Sequence, residues 1–317
     1  MTFTPLSTRA TGSTPVRHRA LALRRALGVA AALGTLPYLG LKCAWLTGAA
    51  VGVTDAALLT SGSMRVLNAV TVVLDLCVVV LAAALGSRRA GRIPALAVLL
   101  PAWVATGLLL PMVVTFPLTM LAGGPAASVG LQPWVRPLVY GGFAWQGLCL
   151  LAAFAVYAAD RWRDRLRRPA PVDTAVRPLL HATAGGGAVL GVLAAGLLMV
   201  SGAGSGSGVL VIVAALDAGF GLAGVVAVVR LARGRGSAAV VVTAWAGTAV
   251  PFANGLWSAV TTMGATALSG SGDPAQGLAQ LCGLLGGFAL AVAGLLAVGG
   301  SSVVESSWSP APREPGP

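Results

Sequence analysis

Apolar residues form eight long, almost uninterrupted stretches between residues 26 and 298, and short polar segments separate them. Each stretch has about 20 residues or more, which lets an α-helix cross the hydrocarbon core of a bilayer. None has the strict alternation that is typical of a transmembrane β-strand. The pattern therefore predicts an all-α polytopic membrane protein with eight transmembrane helices. The predicted spans cover residues 26–48, 65–85, 93–121, 137–159, 178–201, 209–229, 237–263 and 275–298.

The polar segments divide the predicted protein into two membrane halves, two tails and a linker. The N-terminal tail is rich in Thr, Ser, Pro and Arg and the C-terminal tail in Ser and Pro, and such segments bury too little apolar surface to fold alone. We expect a disordered basic cytoplasmic tail at residues 1–25 and a disordered cytoplasmic tail at residues 299–317. The first four-helix half covers residues 26–160, a basic cytoplasmic linker covers 161–177, and the second four-helix half covers 178–298.

Charged residues are scarce and mostly basic. Only 9% of the 317 residues are charged, against about 25% in soluble domains, so the chain cannot cover a water-exposed surface. In a soluble protein the net charge of +12 would suggest nucleic acid, but no basic stretch here belongs to a domain that could fold in water. We therefore predict no nucleic-acid partner; the lipid bilayer is the expected partner, and protein partners cannot be read from the sequence.

The arginines predict the orientation of the helices. An eight-span topology puts 18 arginines on the side of both termini and only Arg65 and Arg136 on the other side. Positively charged residues are retained in the cytoplasm. Both termini are therefore predicted to be cytoplasmic, in the plasma membrane of a bacterium. The basic segment from Arg161 to Arg168 is a candidate contact for anionic lipid headgroups.

Three charged residues lie inside apolar stretches, namely Lys42, Asp75 and Asp217. A charge at membrane depth is costly and normally has a partner or a task. Helical spacing places Tyr38 beside Lys42, and Asn68 on the same face as Asp75. The predicted membrane-embedded polar site comprises Tyr38, Lys42, Asn68, Asp75, Asp217 and Asn254.

Two interpretations of these charges remain open from the sequence. In the first, Lys42 and Asp75 form a buried structural pair, and Asp217 is protonated or hydrogen-bonded; the protein is then non-transporting and acts through structure or partners. In the second, the charges form a proton- or ion-coupled site of a transporter or permease. Lys42 could then pair with Asp75, with Asp217 or with both.

The two halves share a weak internal repeat. Asp75 and Trp103 correspond to Asp217 and Trp245 at an offset of 142 residues, and Lys42 aligns with Ala184. Four spans per half predict a parallel repeat about an axis along the membrane normal. Prolines interrupt the third and seventh spans, so helix breaks are predicted at Pro101, Pro111 and Pro251.

Signatures of soluble enzymes are missing from the sequence. It contains no nucleophile elbow and no P-loop, and its only two glutamates lie in the C-terminal tail. With two histidines in the whole chain, a metal site is not expected. We predict neither an enzymatic activity nor a cofactor.

The first predicted span contains the pattern Leu-Pro-Tyr-x-x-Leu-Lys-x-x-Trp-Leu-x-Gly from residue 36 to residue 48. This segment resembles the first span of uncharacterised multi-pass integral membrane proteins from actinobacteria. The composition, rich in Ala, Val, Gly and Arg and poor in Lys, is typical of a high-GC genome. The resemblance implies a membrane protein and no particular activity.

Overall fold

The structure, a computed structural model, describes residues 14–55, 59, 62–121, 130–163, 166, 172, 174–263 and 273–299. Within these residues the backbone forms eight long α-helices and one 3-10 helix, Ala90–Arg92. The α-helices are α1 (Thr14–Leu46), α2 (Gly62–Gly86), α3 (Ala95–Leu121), α4 (Val135–Arg161), α5 (Arg177–Gly204), α6 (Gly208–Ala232), α7 (Ala238–Met263) and α8 (Pro274–Gly299). All eight are long and apolar enough to cross a bilayer, as predicted, and the chain is a multi-pass membrane protein.

The helices pack as two four-helix groups with the same order of neighbours. In the first group α1 contacts α2 and α4, and α3 contacts α4 and α2. In the second group α5 contacts α6 and α8, and α7 contacts α8 and α6. The two groups meet mainly where α3 packs against α7, and α3 also contacts α6. The third helix of each group therefore lies at the interface between the groups.

A reciprocal pair of hydrogen bonds joins α3 to α7. Trp103 Nε1 donates to Thr248 Oγ1 at 3.1 Å, and Trp245 Nε1 donates to Thr106 Oγ1 at 3.0 Å. Each tryptophan stands three residues before a threonine in its own helix, and the two pairs are 142 residues apart in the sequence. Gly107 follows the first threonine and faces α7, since a Cβ atom there would clash with the α7 backbone. The indole N–H groups are thus satisfied across the interface.

The reciprocal bonds predict equal effects of matched substitutions. Trp103→Phe and Trp245→Phe each remove one hydrogen bond between the groups and keep an aromatic ring. Each should lower the free energy of unfolding by about 1 kcal/mol. Thermal unfolding in detergent would measure this, with Trp134→Phe as the control because its indole donates to the nearby Gln132 on an exposed surface. A clear effect of only one of the two substitutions would contradict a symmetrical contact.

The arginines gather at one end of the helices. There Arg24 lies 3.9 Å from Asp160 and above the ring of Tyr157, and Arg25 Nε donates to the carbonyl of Gly86 at 3.0 Å. These contacts bring the first turns of α1 to the ends of α2 and α4. We call this side the arginine-rich end.

At the opposite end, the connections between helices contact one another. Val53 and Leu131 form an isolated antiparallel bridge between two of these connections. In the second group the Ser201 hydroxyl donates to Asp273 Oδ2 at 2.5 Å, and the N–H of Ala275 donates to Asp273 Oδ1 at 3.0 Å. The Ser201 hydroxyl, followed by the Ala275 N–H, holds the pKa of Asp273 below its usual value. Asp273 thus caps α8 and ties it to α5.

Helix α1 begins earlier than predicted. It starts at Thr14 rather than near residue 26, so the prediction of a disordered tail is wrong for residues 14–25. Arg24, which was predicted to lie in the tail, is buried against Tyr157 and Asp160, and this contact supports the helix before residue 26. Residues 1–13 and 300–317, where the predicted tails continue, lie outside the described residues.

The predicted helix breaks at prolines are also wrong. Helix α3 continues through Pro101, Pro111 and Pro117, and α7 continues through Pro251. A proline removes only one backbone hydrogen bond, and neighbouring helices support the chain at such a position in a membrane protein. No cis peptide bond occurs among the described residues. The third helix of each group is therefore one continuous helix rather than two half-helices.

Candidate functional site

Lys42 is buried inside the first helix group and is held by side chains from α1 and α2. Its ammonium donates to Asn68 Oδ1 at 2.6 Å. The rings of Tyr38 and Trp45 each have their centroid 4.8 Å from the same nitrogen. These rings lie one turn before and one turn after Lys42 on the same face of α1, as the helical spacing predicts. Aromatic faces attract a cation most strongly where water is excluded, and only 6% of Lys42 is exposed.

Asp75 lies near the middle of α2, on the face that also carries Asn68 and Thr71. Only 3% of Asp75 is exposed. The side chain of Gln146 from α4 is within hydrogen-bonding reach of it, and the Lys42 ammonium acts on it electrostatically. The ammonium and the carboxylate, both in the described part of the chain, do not form a direct salt bridge. We call Tyr38, Lys42, Asn68, Thr71, Asp75 and Gln146 the first-group cluster.

The distance along the helices explains why Lys42 bonds Asn68 rather than Asp75. Helices α1 and α2 run in opposite directions, and Lys42 lies near the end of α1, opposite the first turns of α2. Asn68 lies in these first turns of α2, at the same depth as Lys42. Asp75 lies two turns further into α2, about 10 Å along the helix axis. Asn68 therefore accepts the hydrogen bond from the ammonium, whereas Lys42 and Asp75 interact electrostatically without a direct contact.

Asp217 occupies a different place, inside the second helix group. It lies on α6, and the side chain of Asn254 from α7 is within hydrogen-bonding reach of it. It lines a small cavity of about 20 Å³ between the four helices of this group. The other lining residues carry no charge: they are Gly191, Ala194, Ala195, Leu198, Ala218, Gly221, Pro251, Gly287 and Leu290. The cavity is thus apolar except for the carboxylate.

The structure therefore separates the three membrane charges into two sites. Lys42 and Asp75 share the first-group cluster, and Asp217 pairs with Asn254 in the second group. The hypotheses in which Lys42 pairs with Asp217, or is shared between both aspartates, do not agree with this arrangement. Helices α1 and α6 are not neighbours: α1 packs against α2 and α4, and α6 packs against α5, α7, α8 and α3.

Two members of the first-group cluster were not among the predicted site residues. Gln146 bonds Asp75 from α4, and Thr71 lies within hydrogen-bonding reach of the Tyr38 hydroxyl. Gln146 is the only amide side chain within the predicted fourth span. A lone amide in an apolar helix was therefore the available signal, because such groups commonly bond across helices in a membrane.

Both aspartates have one carboxylate oxygen that the described residues leave unsatisfied. Oδ2 of Asp75 and Oδ1 of Asp217 are buried and lack a hydrogen-bond partner in the described part of the chain. A third such atom, Arg24 Nε, lies at the arginine-rich end. Buried polar atoms are nearly always hydrogen-bonded, so each exception needs an explanation.

Arg161, at the start of the predicted headgroup contact, is used inside the protein. It donates to the carbonyls of Ala90 at 3.2 Å and Ile93 at 3.0 Å, and to the hydroxyl of Tyr157. These bonds tie the end of α4 to the connection between α2 and α3. Arg163 is exposed, whereas most of the segment up to Arg168 lies outside the described residues. No group of three metal-ligating side chains occurs among the residues that the structure describes.

Comparison of the chain with protein-family models, with curated proteins and with solved structures found no match. The geometry of the two buried sites is therefore the basis for a functional hypothesis.

Proposed function

We propose that the chain is a transporter- or permease-like membrane protein without an enzymatic activity, and that its buried Lys and Asp residues act on the transported species or on a coupling ion. The observation that carries this proposal is the unsatisfied oxygen on each membrane-embedded aspartate. A polar network that serves only to hold helices together is expected to be complete, because each unsatisfied buried group opposes folding. A group that must bind and release a proton, an ion or a substrate has free bonding capacity in at least one state.

The proposal includes a parallel duplication of four helices. Both groups have the same order of neighbours, and the reciprocal Trp–Thr bonds join equivalent residues. In both groups the fourth helix also packs against the first. Two such halves could move against each other about the α3–α7 contact, which is how repeated transporters expose a site alternately.

The proposed orientation places the arginine-rich end, and with it both termini, in the cytoplasm. Its support is the strong bias of arginine toward that end, together with the positive-inside rule. The membrane would then be the plasma membrane of a bacterium. Cysteine labelling at Ser205, which lies between α5 and α6 at the opposite end, should succeed with a membrane-impermeant reagent added outside the cell. Labelling of Ser205→Cys only after the membrane is opened would reverse the orientation.

The alternative is a structural or partner-binding membrane protein that does not transport. One observation favours it: Lys42 is held by an amide oxygen and two aromatic faces, which is an arrangement that can simply fix helix packing. Polar bonds between membrane helices often serve this purpose. The alternative does not explain the unsatisfied oxygen of Asp217 or the cavity beside it.

Electrical recordings would separate the two functions. The purified protein, reconstituted on a solid-supported membrane, would be challenged with panels of amino acids, sugars and organic ions. We expect at least one class of compound to produce a current, and Asp217→Asn to abolish it while the protein remains folded. Ser258→Ala in α7 is a control outside the described polar sites. Normal expression of Asp217→Asn with currents equal to those of the unmodified protein would contradict a role of Asp217 in transport.

A further inference from the structure

The cavity beside Asp217 limits what can bind there. Its volume of about 20 Å³ holds about one water molecule, since a cavity needs roughly 10–15 Å³ to do so. An amino acid or a sugar is far too large. The ligand of this cavity is therefore no larger than a water molecule or a bare ion.

The lining of the cavity argues against a metal cation. Hard metal cations such as Ca²⁺ and Mg²⁺ take about six or more oxygen ligands. The side chains that line this cavity supply oxygen only through Asp217, with the Asn254 amide beside it. The rest are Gly, Ala, Leu and Pro, and most backbone carbonyls of the helices are already hydrogen-bonded. Too few oxygens remain to replace the water shell of a metal ion.

The charge balance around Asp217 points to a proton. Helices α5, α7, α8 and α3 pack against α6, and Asp217 is the only charged residue among the described residues that line the cavity. The other ionisable side chains on these five helices are Arg177, His181, Arg230 and Cys282, and none of them lines the cavity. A buried carboxylate without a counter-charge is strongly disfavoured, and such a group usually takes up a proton.

In the first group, the buried aspartate has a compensating charge. Asp75 occupies the equivalent position in α2, but there Lys42 supplies a positive charge and Gln146 a hydrogen bond. In the second group, α8 brings Gly287 and Leu290 toward the carboxylate, and α5 brings only Gly, Ala and Leu. One half therefore contains its own cation, and the other half contains a water-sized cavity.

We propose that Asp217 is a proton-binding site: Oδ1 takes a proton from a hydronium ion in the cavity, which leaves a carboxylic acid and a water molecule, and returns the proton in the reverse step. A role for this proton as the coupling ion rests on the function proposed above, whereas the binding of the proton to Asp217 does not depend on that function. The cavity provides the place for the water molecule, and Asn254 holds the carboxyl group in position.

Infrared difference spectroscopy on the full-length protein in lipid tests the proposal directly. A pH jump should make a carbonyl band of a protonated carboxylic acid appear at low pH and vanish at high pH. Asp217→Asn should abolish this band completely, whereas Asp75→Asn should leave it in place. Loss of the band only in Asp75→Asn, or an unchanged band in Asp217→Asn, would overturn the proposal. Suppression of the band by sodium chloride, but not by choline chloride, would show that a metal cation binds instead.

A second pair of variants tests the proposal even if Asp217→Asn does not fold. Gly219 and Gly221 both lie on α6, and a Cβ atom at either would meet no atom within 4 Å. Only Gly221 lines the cavity. Gly221→Ala should therefore slow hydrogen–deuterium exchange of the carboxyl band severalfold, and Gly219→Ala should not change it. Equal exchange rates in both variants would show that protons do not reach Asp217 through this cavity.

The test is independent of transport. If the band titrates but no compound produces a current, the proton site stands and the transporter proposal fails. If currents are present but the Asp217 band is missing at every pH, transport stands and the proton site fails.

Discussion

Replacing Lys42 with Met is expected to destabilise the protein by about 3 kcal/mol, because it leaves a buried carboxylate without a compensating charge and an amide oxygen without its donor. Met has a similar length and lacks the charge. The substitution leaves the carboxylate of Asp75 buried without its nearby cation and the oxygen of Asn68 without its donor. Thermal unfolding in detergent, followed by the fluorescence of a thiol-reactive dye, would measure the loss.

Two further variants test whether the loss of stability comes from the missing charge of Lys42. The double variant Lys42→Met with Asp75→Asn removes both charges and should recover most of the lost stability, because no uncompensated charge remains. Lys42→Arg keeps the charge but should not restore full stability, since the compact ammonium fits between the two rings and a planar guanidinium does not share its geometry. If Lys42→Met alone were as stable as the unmodified protein, the electrostatic coupling to Asp75 would be negligible.

Replacing Gly224 with Leu is expected to be nearly as damaging. At this position α6 touches the backbone of α7, and a Cβ atom at Gly224 would lie 2.5 Å from the carbonyl carbon and oxygen of Gly247. A leucine would force the two helices apart, and overpacking of this kind typically costs about 1–3 kcal/mol or more. The melting temperature in detergent should fall clearly.

The matched control is Gly219→Leu in the same helix. A Cβ atom at Gly219 meets nothing within 4 Å, so the added side chain would point into open space. Leucine also favours the helix more than glycine does, and this variant should be at least as stable as the unmodified protein. Similar losses in both variants would mean that the effect comes from the leucine itself rather than from the contact with α7.

The number of helices was predictable because each span has its own uninterrupted apolar run. The start of α1 was not, since it depends on Arg24 finding Tyr157 and Asp160 in a distant helix. The prediction of helix breaks at the prolines was wrong for a related reason. The sequence shows the lost backbone bond, but it does not show that α3 and α7 continue through these positions among neighbouring helices.

The candidate site was predictable only within each helix. Helical spacing correctly placed Tyr38 beside Lys42 and Asn68 on the face of Asp75, because these relations depend on one helix alone. Relations between helices depend on depth and on the choice of neighbour. That is why the bond from Lys42 to Asn68, and the contribution of Gln146 from α4, could not be read from spacing.

The glycines at positions 221 and 224 share a face of α6 with Asp217. The structure divides these glycines between two tasks. Gly224 contacts α7 closely, whereas Gly221 borders the cavity and has open space around it. A row of small residues in a sequence predicts a face where another helix can pack closely. It does not show whether a given glycine contacts a helix backbone or borders a small cavity.

The reciprocal bonds between α3 and α7 have a consequence for the origin of the chain. Each helix carries both a donor, the tryptophan, and an acceptor, the threonine, so one four-helix unit has everything that it needs to bind a copy of itself. Two identical subunits would necessarily carry identical sites. If the two groups arose by the duplication proposed above, each group could change alone within one chain. The lysine of the first group and the cavity of the second are differences that a symmetric homodimer cannot have.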